Sequence, residues 1–234
     1  MIKVVLFDLD GTLLPMDQEV FTKTYFKLLA KKLAPLGYEP EQLIKAIWAG
    51  TAAMVKNNGD CVNEEAFWKK FCEFYGEKAL EDKPIFDKFY EEEFQQAKQV
   101  CGFNENAVQA VKLIKEKGIR VALATNPIFP AVATESRIKW AGFEPSDFEL
   151  YTTYDNSSHC KPNPEYYKDI LKKLNCKAEE CLMVGNDVNE DMIAEKIGMQ
   201  VFLLDDCIIN KDSKDISCYN RGGFEKLMET VKEW

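Results

Sequence analysis

The stretch that decides the fold is Lys3-Val4-Val5-Leu6-Phe7-Asp8-Leu9-Asp10-Gly11-Thr12. Its first half is a continuous apolar run rich in β-branched residues, the pattern of a strand buried on both faces in a parallel sheet. Its second half stops that strand with two aspartates, a glycine and a threonine. Gly11 permits a tight turn and the close approach of a ligand, so the carboxylates of Asp8 and Asp10 can converge on one site at the strand end. Neighbouring carboxylates repel unless a cation lies between them. Mg2+ takes one or two carboxylates, with waters and phosphate oxygens completing its octahedron. An acidic loop merely solvated at a strand end is the plain alternative. An Asp-x-Asp-Gly-Thr sequence directly after a buried strand is far more specific than an acid pair alone.

Working outward, similar apolar runs recur at 120–124, 181–184 and 200–204. Helical patterns fill the intervals, at 107–117 ending on Gly118, at 165–174, and at 192–197 ending on Gly198. Glycine just past a helix is the expected stop. Strand and helix in alternation predict an α/β fold, a doubly wound parallel sheet that binds ligands at the carboxyl ends of its strands. Phe224, Leu227, Met228 and Val231 predict a last amphipathic helix docked on that sheet.

Residues 17–100 read differently. They offer no convincing strand, and their apolar residues fall in four stripes at helical spacing: Phe21/Tyr25/Leu28/Leu29, Leu43/Ile44/Ile47/Trp48, Phe67/Phe71/Phe74/Tyr75 and Phe86/Phe89/Tyr90/Phe94. The expectation is an all-helical domain over 17–100 inserted into a core made of 1–16 and 101–234, with connections near Pro15–Asp17 and Val100–Asn104. The aromatic stripes fit packing between helices better than a ligand cage.

The 234 residues carry 46% hydrophobic and 29% charged side chains, ordinary for a globular chain. A net charge of −9 argues against nucleic acid or an anionic bilayer as partner, because most of the surface would repel either one. A small phosphorylated metabolite needs only a local positive site. No apolar run approaches the roughly 20 residues that span a bilayer. The acid at position 8 comes too soon for a signal peptide. Eight cysteines without a C-x-x-C pair, and a single histidine, fit reduced thiols in a cytoplasmic protein. Cys176 and Cys181 flank a turn and are the pair open to oxidation. Nothing in the sequence fixes an oligomeric state.

Three further segments fall where the sheet places neighbouring strand ends. Thr125-Asn126-Pro127 follows 120–124 and offers a hydroxyl and backbone N–H groups to phosphate oxygens. Lys161-Pro162-Asn163-Pro164 is a stiffened loop that can aim a lysine inward. Gly185-Asn186-Asp187-Val188-Asn189-Glu190-Asp191 follows 181–184 with acids able to complete a metal site and brace that lysine. Standing alone, each has a plain reading as a turn, a surface lysine or an acidic helix start.

Taken in this order, the four segments resemble the haloacid dehalogenase superfamily of hydrolases, with the helical insertion similar to that family's cap. The resemblance implies Asp8 as nucleophile and Asp10 as general acid/base, with Gly11, Thr12, Thr125, Asn126 and Lys161 around the phosphoryl group. Mg2+ is the implied cofactor, held by Asp8, Asp10 and the acidic segment after Gly185. The family usually has an aspartate directly after that glycine, where this chain has Asn186 and then Asp187. Either Asn186 coordinates through its amide oxygen, or Asp187 takes the metal with Asp191 behind it; Asp187 is the preferred choice. The implied activity is hydrolysis of a small phosphate monoester through an aspartyl-phosphate. A phosphomutase on the same scaffold and a non-catalytic phosphate-binding regulatory protein are the alternatives.

Overall fold

In the computed structural model, which describes residues 1–234, the opening apolar run becomes β1 (Val4–Phe7), with all four residues fully buried. Burying each such side chain contributes about 1.5–3 kcal/mol. The strand's alternation divides that burial between two faces. Val5 and Phe7 join one apolar cluster, while Val4 and Leu6 join another. β2 (Arg120–Leu123), β3 (Cys181–Gly185), β4 (Gln200–Leu204) and the two-residue β5 (Arg221–Gly222) complete a parallel sheet of order β2-β1-β3-β4-β5. The first strand is therefore central. The chain steps from β1 outward to β2 and returns across it to β3, so the order reverses between β1 and β3. Doubly wound sheets bind their ligands at such a reversal.

Helices cover both faces. α5 (Glu105–Glu116), α6 (Ala131–Trp140) and α8 (Phe224–Lys232) pack on the Val5/Phe7 side. α7 (Pro164–Leu174) and the 3-10 turn Met192–Ile197 pack on the Val4/Leu6 side through Tyr166, Tyr167, Ile170 and Ala194. Gly118 and Gly198 stop their helices in the left-handed conformation, with φ of +74° and +92°, as their positions predict. Two elements have no forecast in the sequence. β5 is too short to carry a pattern. α6 buries Thr134 and Arg137 beside Ala133 and Ile138, which breaks the apolar stripe that would announce it.

Between β1 and α5 lie α1 (Gln18–Leu33), α2 (Pro40–Val55), α3 (Asn63–Tyr75) and α4 (Lys83–Glu91), followed by a 3-10 segment over Glu93–Val100. The forecast of helices without strands in this stretch holds. Asp17 caps α1 by accepting the N–H groups of Glu19 and Val20, a contact worth about 1 kcal/mol. The two connections to the sheet run side by side. Met16 and Cys101 form an antiparallel bridge, and Gly102 N–H donates to the Pro15 carbonyl at 2.7 Å.

No helix is long and apolar enough to cross a membrane. All eight cysteines are free, and the Cys176 and Cys181 sulfurs stand 3.4 Å apart.

Candidate active site

Asp8 leaves the end of β1 with its N–H donating to the Val184 carbonyl of β3 at 2.9 Å, which fixes it at the reversal point. Its two carboxylate oxygens face different neighbours. Oδ1 accepts Lys161 Nζ at 2.8 Å, and Oδ2 accepts the Thr12 hydroxyl at 3.1 Å. The same hydroxyl lies 3.0 Å from Asn186 Oδ1. Thr12 has one proton to give, so Asp8 Oδ2 and Asn186 Oδ1 are two oxygens competing for one donor. Gly11 is what lets these groups meet. Its φ is +89°, and a Cβ there would overlap the Asn186 amide.

Lys161 is fully buried, yet it bonds two carboxylates, Asp8 and Asp191, the latter at 2.6 Å. Burial alone would push the ammonium down. The charges of Asp191 and Asp8 outweigh it and hold the lysine well above its ordinary pKa. The loop before α7 aims it there, with Asn163 capping the helix and Pro164 in its first turn. Asp191 Oδ2 accepts the Asp187 N–H at 2.9 Å, so both of its oxygens are engaged. Gly185 makes room for this carboxylate, since a Cβ at that position would overlap it.

Of the two candidates after Gly185, Asn186 turns toward Asp8 and anchors its Nδ2 on the Cys207 carbonyl at 2.6 Å. Asp187 uses Oδ1 to accept the N–H groups of Asn189 and Glu190, at 2.7 and 3.0 Å. Asp187 also borders the cavity described below, but its Oδ1 is committed to holding the turn. Glu190, half-buried beside it, accepts Asn126 Nδ2 at 3.0 Å. Burial pushes Glu190 up to about 7, with Lys161 opposing the shift.

Thr125 follows β2 on the other flank of Asp8. Its carbonyl is held by the Thr152 and Tyr166 hydroxyls at 2.6 and 2.8 Å, and the residue borders the cavity. Asn126 leaves its Oδ1 buried and without a partner.

Asp10 has a companion that the sequence does not announce. Its Oδ2 accepts the guanidinium of Arg137, a fully buried residue of α6. Arg137 also donates to the Ala133 carbonyl and the Thr134 hydroxyl, and it lies 4.4 Å from the centre of the Phe129 ring. Burial raises the pKa of Asp10, Arg137 opposes the rise, and Asp8 adds to it. Asp10 Oδ1 is buried with no hydrogen-bond partner.

Above these groups opens a cavity of about 360 Å3, bordered by Asp8, Asp10, Thr125 and Asn186 below and by α1–α4 above. Some aromatic residues of the helical stripes serve packing alone. Phe71, Phe89 and Phe94 are fully buried in the core, outside the lining. Tyr25, Phe26, Trp48, Trp68, Phe86 and Tyr90 line the cavity.

The haloacid dehalogenase-like hydrolase model matches residues 2–196. A phosphoglycolate phosphatase of Aquifex aeolicus is 25% identical over 198 residues, covering 83% of this chain and 80% of that protein. A pyrophosphatase of Bacillus cereus is 24% identical over 197 residues, covering 84% and 80%. Among solved structures, a phosphatase from Thermococcus onnurineus superimposes with a TM-score of 0.59 at 18% identity, over 98% of both chains. At that identity the likeness is one of fold.

Proposed function

The chain belongs to the haloacid dehalogenase-like hydrolases, and on that premise we propose that it is a Mg2+-dependent phosphatase of small phosphate monoesters, with Asp8 as nucleophile. The observation that carries this reading is the position of Asp8: one oxygen on a buried ammonium, the other beside a hydroxyl and an amide oxygen, at the mouth of a cavity.

The residues present fit a Mg2+ ion. Asp8 Oδ2 and Asn186 Oδ1 crowd one hydroxyl, two oxygens with a single proton between them. These are hard oxygen donors, one from a carboxylate and one from an amide. No group of three acids, histidines or cysteines makes an all-protein cage, and Mg2+ prefers to keep waters and phosphate oxygens in its shell. Asp8 and Asn186 would hold it through their side chains and Asp10 through its main-chain carbonyl, which leaves the Asp10 carboxyl free for proton transfer. We assign the ligand role to Asn186 rather than Asp187, because Asn186 Oδ1 shares the Thr12 hydroxyl with Asp8 Oδ2, whereas Asp187 Oδ1 holds the turn. Asp191 braces Lys161 instead of reaching the ion. Bound there, the ion would neutralise phosphoryl charge that otherwise repels an attacking carboxylate.

Each side chain then has a task. Lys161, held protonated, offsets charge on the phosphoryl oxygens and orients Asp8 for in-line attack. Thr125 presents its hydroxyl to a further phosphoryl oxygen. Attack by the Asp8 carboxylate forms an aspartyl-phosphate as the ester oxygen leaves. Asp10, whose Oδ1 is buried and unpartnered while Arg137 holds Oδ2, delivers a proton to that oxygen from Oδ1. It then accepts one from the water that hydrolyses the intermediate. Arg137 fixes the Asp10 carboxylate in place for both transfers. Residues 17–100 act as a cap over the 1–16/101–234 core, with the paired connections at Met16 and Cys101 as the pivot.

Phosphate release from a panel of monoesters, with and without Mg2+, tests this reading. Activity that needs Mg2+ and vanishes in Asp8→Asn supports it. Wild type inactive across the panel, with Asp8→Asn indistinguishable from it, favours a binding protein.

A further inference from the structure

The cavity wall has a chemistry that the names of the relatives do not share. Phosphoglycolate and pyrophosphate both place a second anionic group on the leaving side. Of the residues lining this cavity from α1–α4, none is a lysine or an arginine. The one cation in the lining is Lys211, an exposed residue between β4 and β5. Six carboxylates line the same space: Asp8, Asp10, Asp87, Asp187, Glu190 and Asp191. The two buried cations nearby are already matched, Lys161 by Asp8 and Asp191, and Arg137 by Asp10. A carboxylate or phosphate on the leaving group would thus meet aromatic rings and a carboxylate, with no cation on the α1–α4 wall to replace its water.

The wall suits a different group. Ten aromatic side chains border the cavity, and such surfaces favour flat or branched apolar bodies. An apolar cavity of roughly 150 Å3 accommodates benzene, so about 360 Å3 has room for a ring as well as a phosphoryl group. Two polar groups interrupt the rings. Trp68, only 6% exposed, has an Nε1–H with no partner. Asp87, half-buried, follows Phe86, whose ring packs edge-on to Trp68 at 5.3 Å. Trp68 offers a donor and Asp87 an acceptor. Trp48, 52% exposed, continues the apolar wall out to solvent.

We propose that the substrate's leaving alcohol is uncharged and largely apolar, aromatic or compact alkyl, with at most a neutral hydrogen-bonding group facing Trp68 and Asp87. This proposal rests on the phosphatase reading for its chemistry and on the cavity for its specificity.

Benzyl phosphate and phosphoglycolate are a fair pair for the test, since both release a primary alcohol and differ chiefly in ring against carboxylate. The expected kcat/KM is at least 100-fold higher for benzyl phosphate in the Mg2+-loaded enzyme. Their non-hydrolysable counterparts, 2-phenylethylphosphonate and 3-phosphonopropionate, read binding without turnover through the change in tryptophan emission, since Trp48 and Trp68 of the four tryptophans line the cavity. The phenyl compound is expected to bind at least 30-fold tighter. Thr51→Arg, which puts a cation into the wall, should move both ratios toward the carboxylate by 10-fold or more. Equal or inverted preference in wild type overturns the proposal. Should no ester turn over while the phenyl phosphonate still binds tighter, the phosphatase reading fails and the cavity's specificity stands. Brisk hydrolysis favouring phosphoglycolate does the reverse.

Discussion

Replacing Arg137 with leucine isolates the one strong interaction that ties α6 to the aspartate turn. The guanidinium is fully buried and pairs with Asp10, whose side chain keeps 22% exposure. Removing one partner of a buried pair costs about 3–5 kcal/mol, because the remaining charge is left uncompensated. The partial exposure of Asp10 puts the expected loss near the lower end, about 3 kcal/mol. At about 2–4 °C per kcal/mol for a chain of this size, Tm should fall by about 6–12 °C at neutral pH. Circular dichroism melts in chelator-containing buffer keep bound metal out of the comparison. The double variant Asp10→Asn/Arg137→Leu should recover about 2 kcal/mol of the loss, the coupling energy of the pair. The pH dependence has a definite sign. Without Arg137, the main opposition to the burial that already raises Asp10 is gone and only the charge of Lys161 remains against it, so its folded-state pKa climbs further above the unfolded value of about 3.9. The folded state then binds more protons than the unfolded one between those two values, and stability falls as pH rises through that window. The deficit of the single variant is therefore full at neutral pH and shrinks on acidification toward pH 4. An Arg137→Leu protein that melts within 2 °C of wild type, or a double variant no more stable than the single, would refute the pairing argument.

Other outcomes follow from the same geometry. Lys161→Met should lower kcat by about 100- to 1,000-fold, the effect of losing one preorganised charge donor, measured by steady-state phosphate release. Asn186→Ala should weaken Mg2+ binding by about 10-fold or more in calorimetric titration, comparable to losing an oriented metal-site group. Asp187→Ala should instead cost about 1 kcal/mol of stability, as a lost turn cap, and leave the Mg2+ affinity within a factor of 3 or so; the opposite pattern would return the ligand role to Asp187. Gly185→Ala drives a methyl into the Asp191 carboxylate and should destabilise by about 1–3 kcal/mol in urea titration.

That Asp8, Asp10, Thr125 and Lys161 would meet at one place was legible because each follows a strand or loop with a strong local pattern. The apolar run at 3–8 fixes a central strand, and a parallel sheet brings its strand ends to one edge. Arg137 was not legible. A buried arginine sits in a helix for the sake of a partner 127 residues earlier, and no local period records that pairing. The ligand choice after Gly185 was likewise beyond sequence, since Asn186 and Asp187 both carry oxygens and only the turn decides which faces Asp8. The aromatic stripes show a third limit. Tyr90 and Phe89 are neighbours in one stripe, yet one lines the cavity and the other is sealed in the core. Helical periodicity reports which residues avoid water in the folded chain and says nothing about whether a cavity lies among them.

The clasp between Pro15 and Gly102 also separates two inheritances within a single chain. Eighty-odd residues leave the sheet and come back one hydrogen bond from where they departed, so their length and composition leave β1 and β2 in register with each other. Substitutions in that excursion can reshape what is admitted while the acids and the lysine below keep their spacing, and the reacting centre can be preserved while its clientele changes.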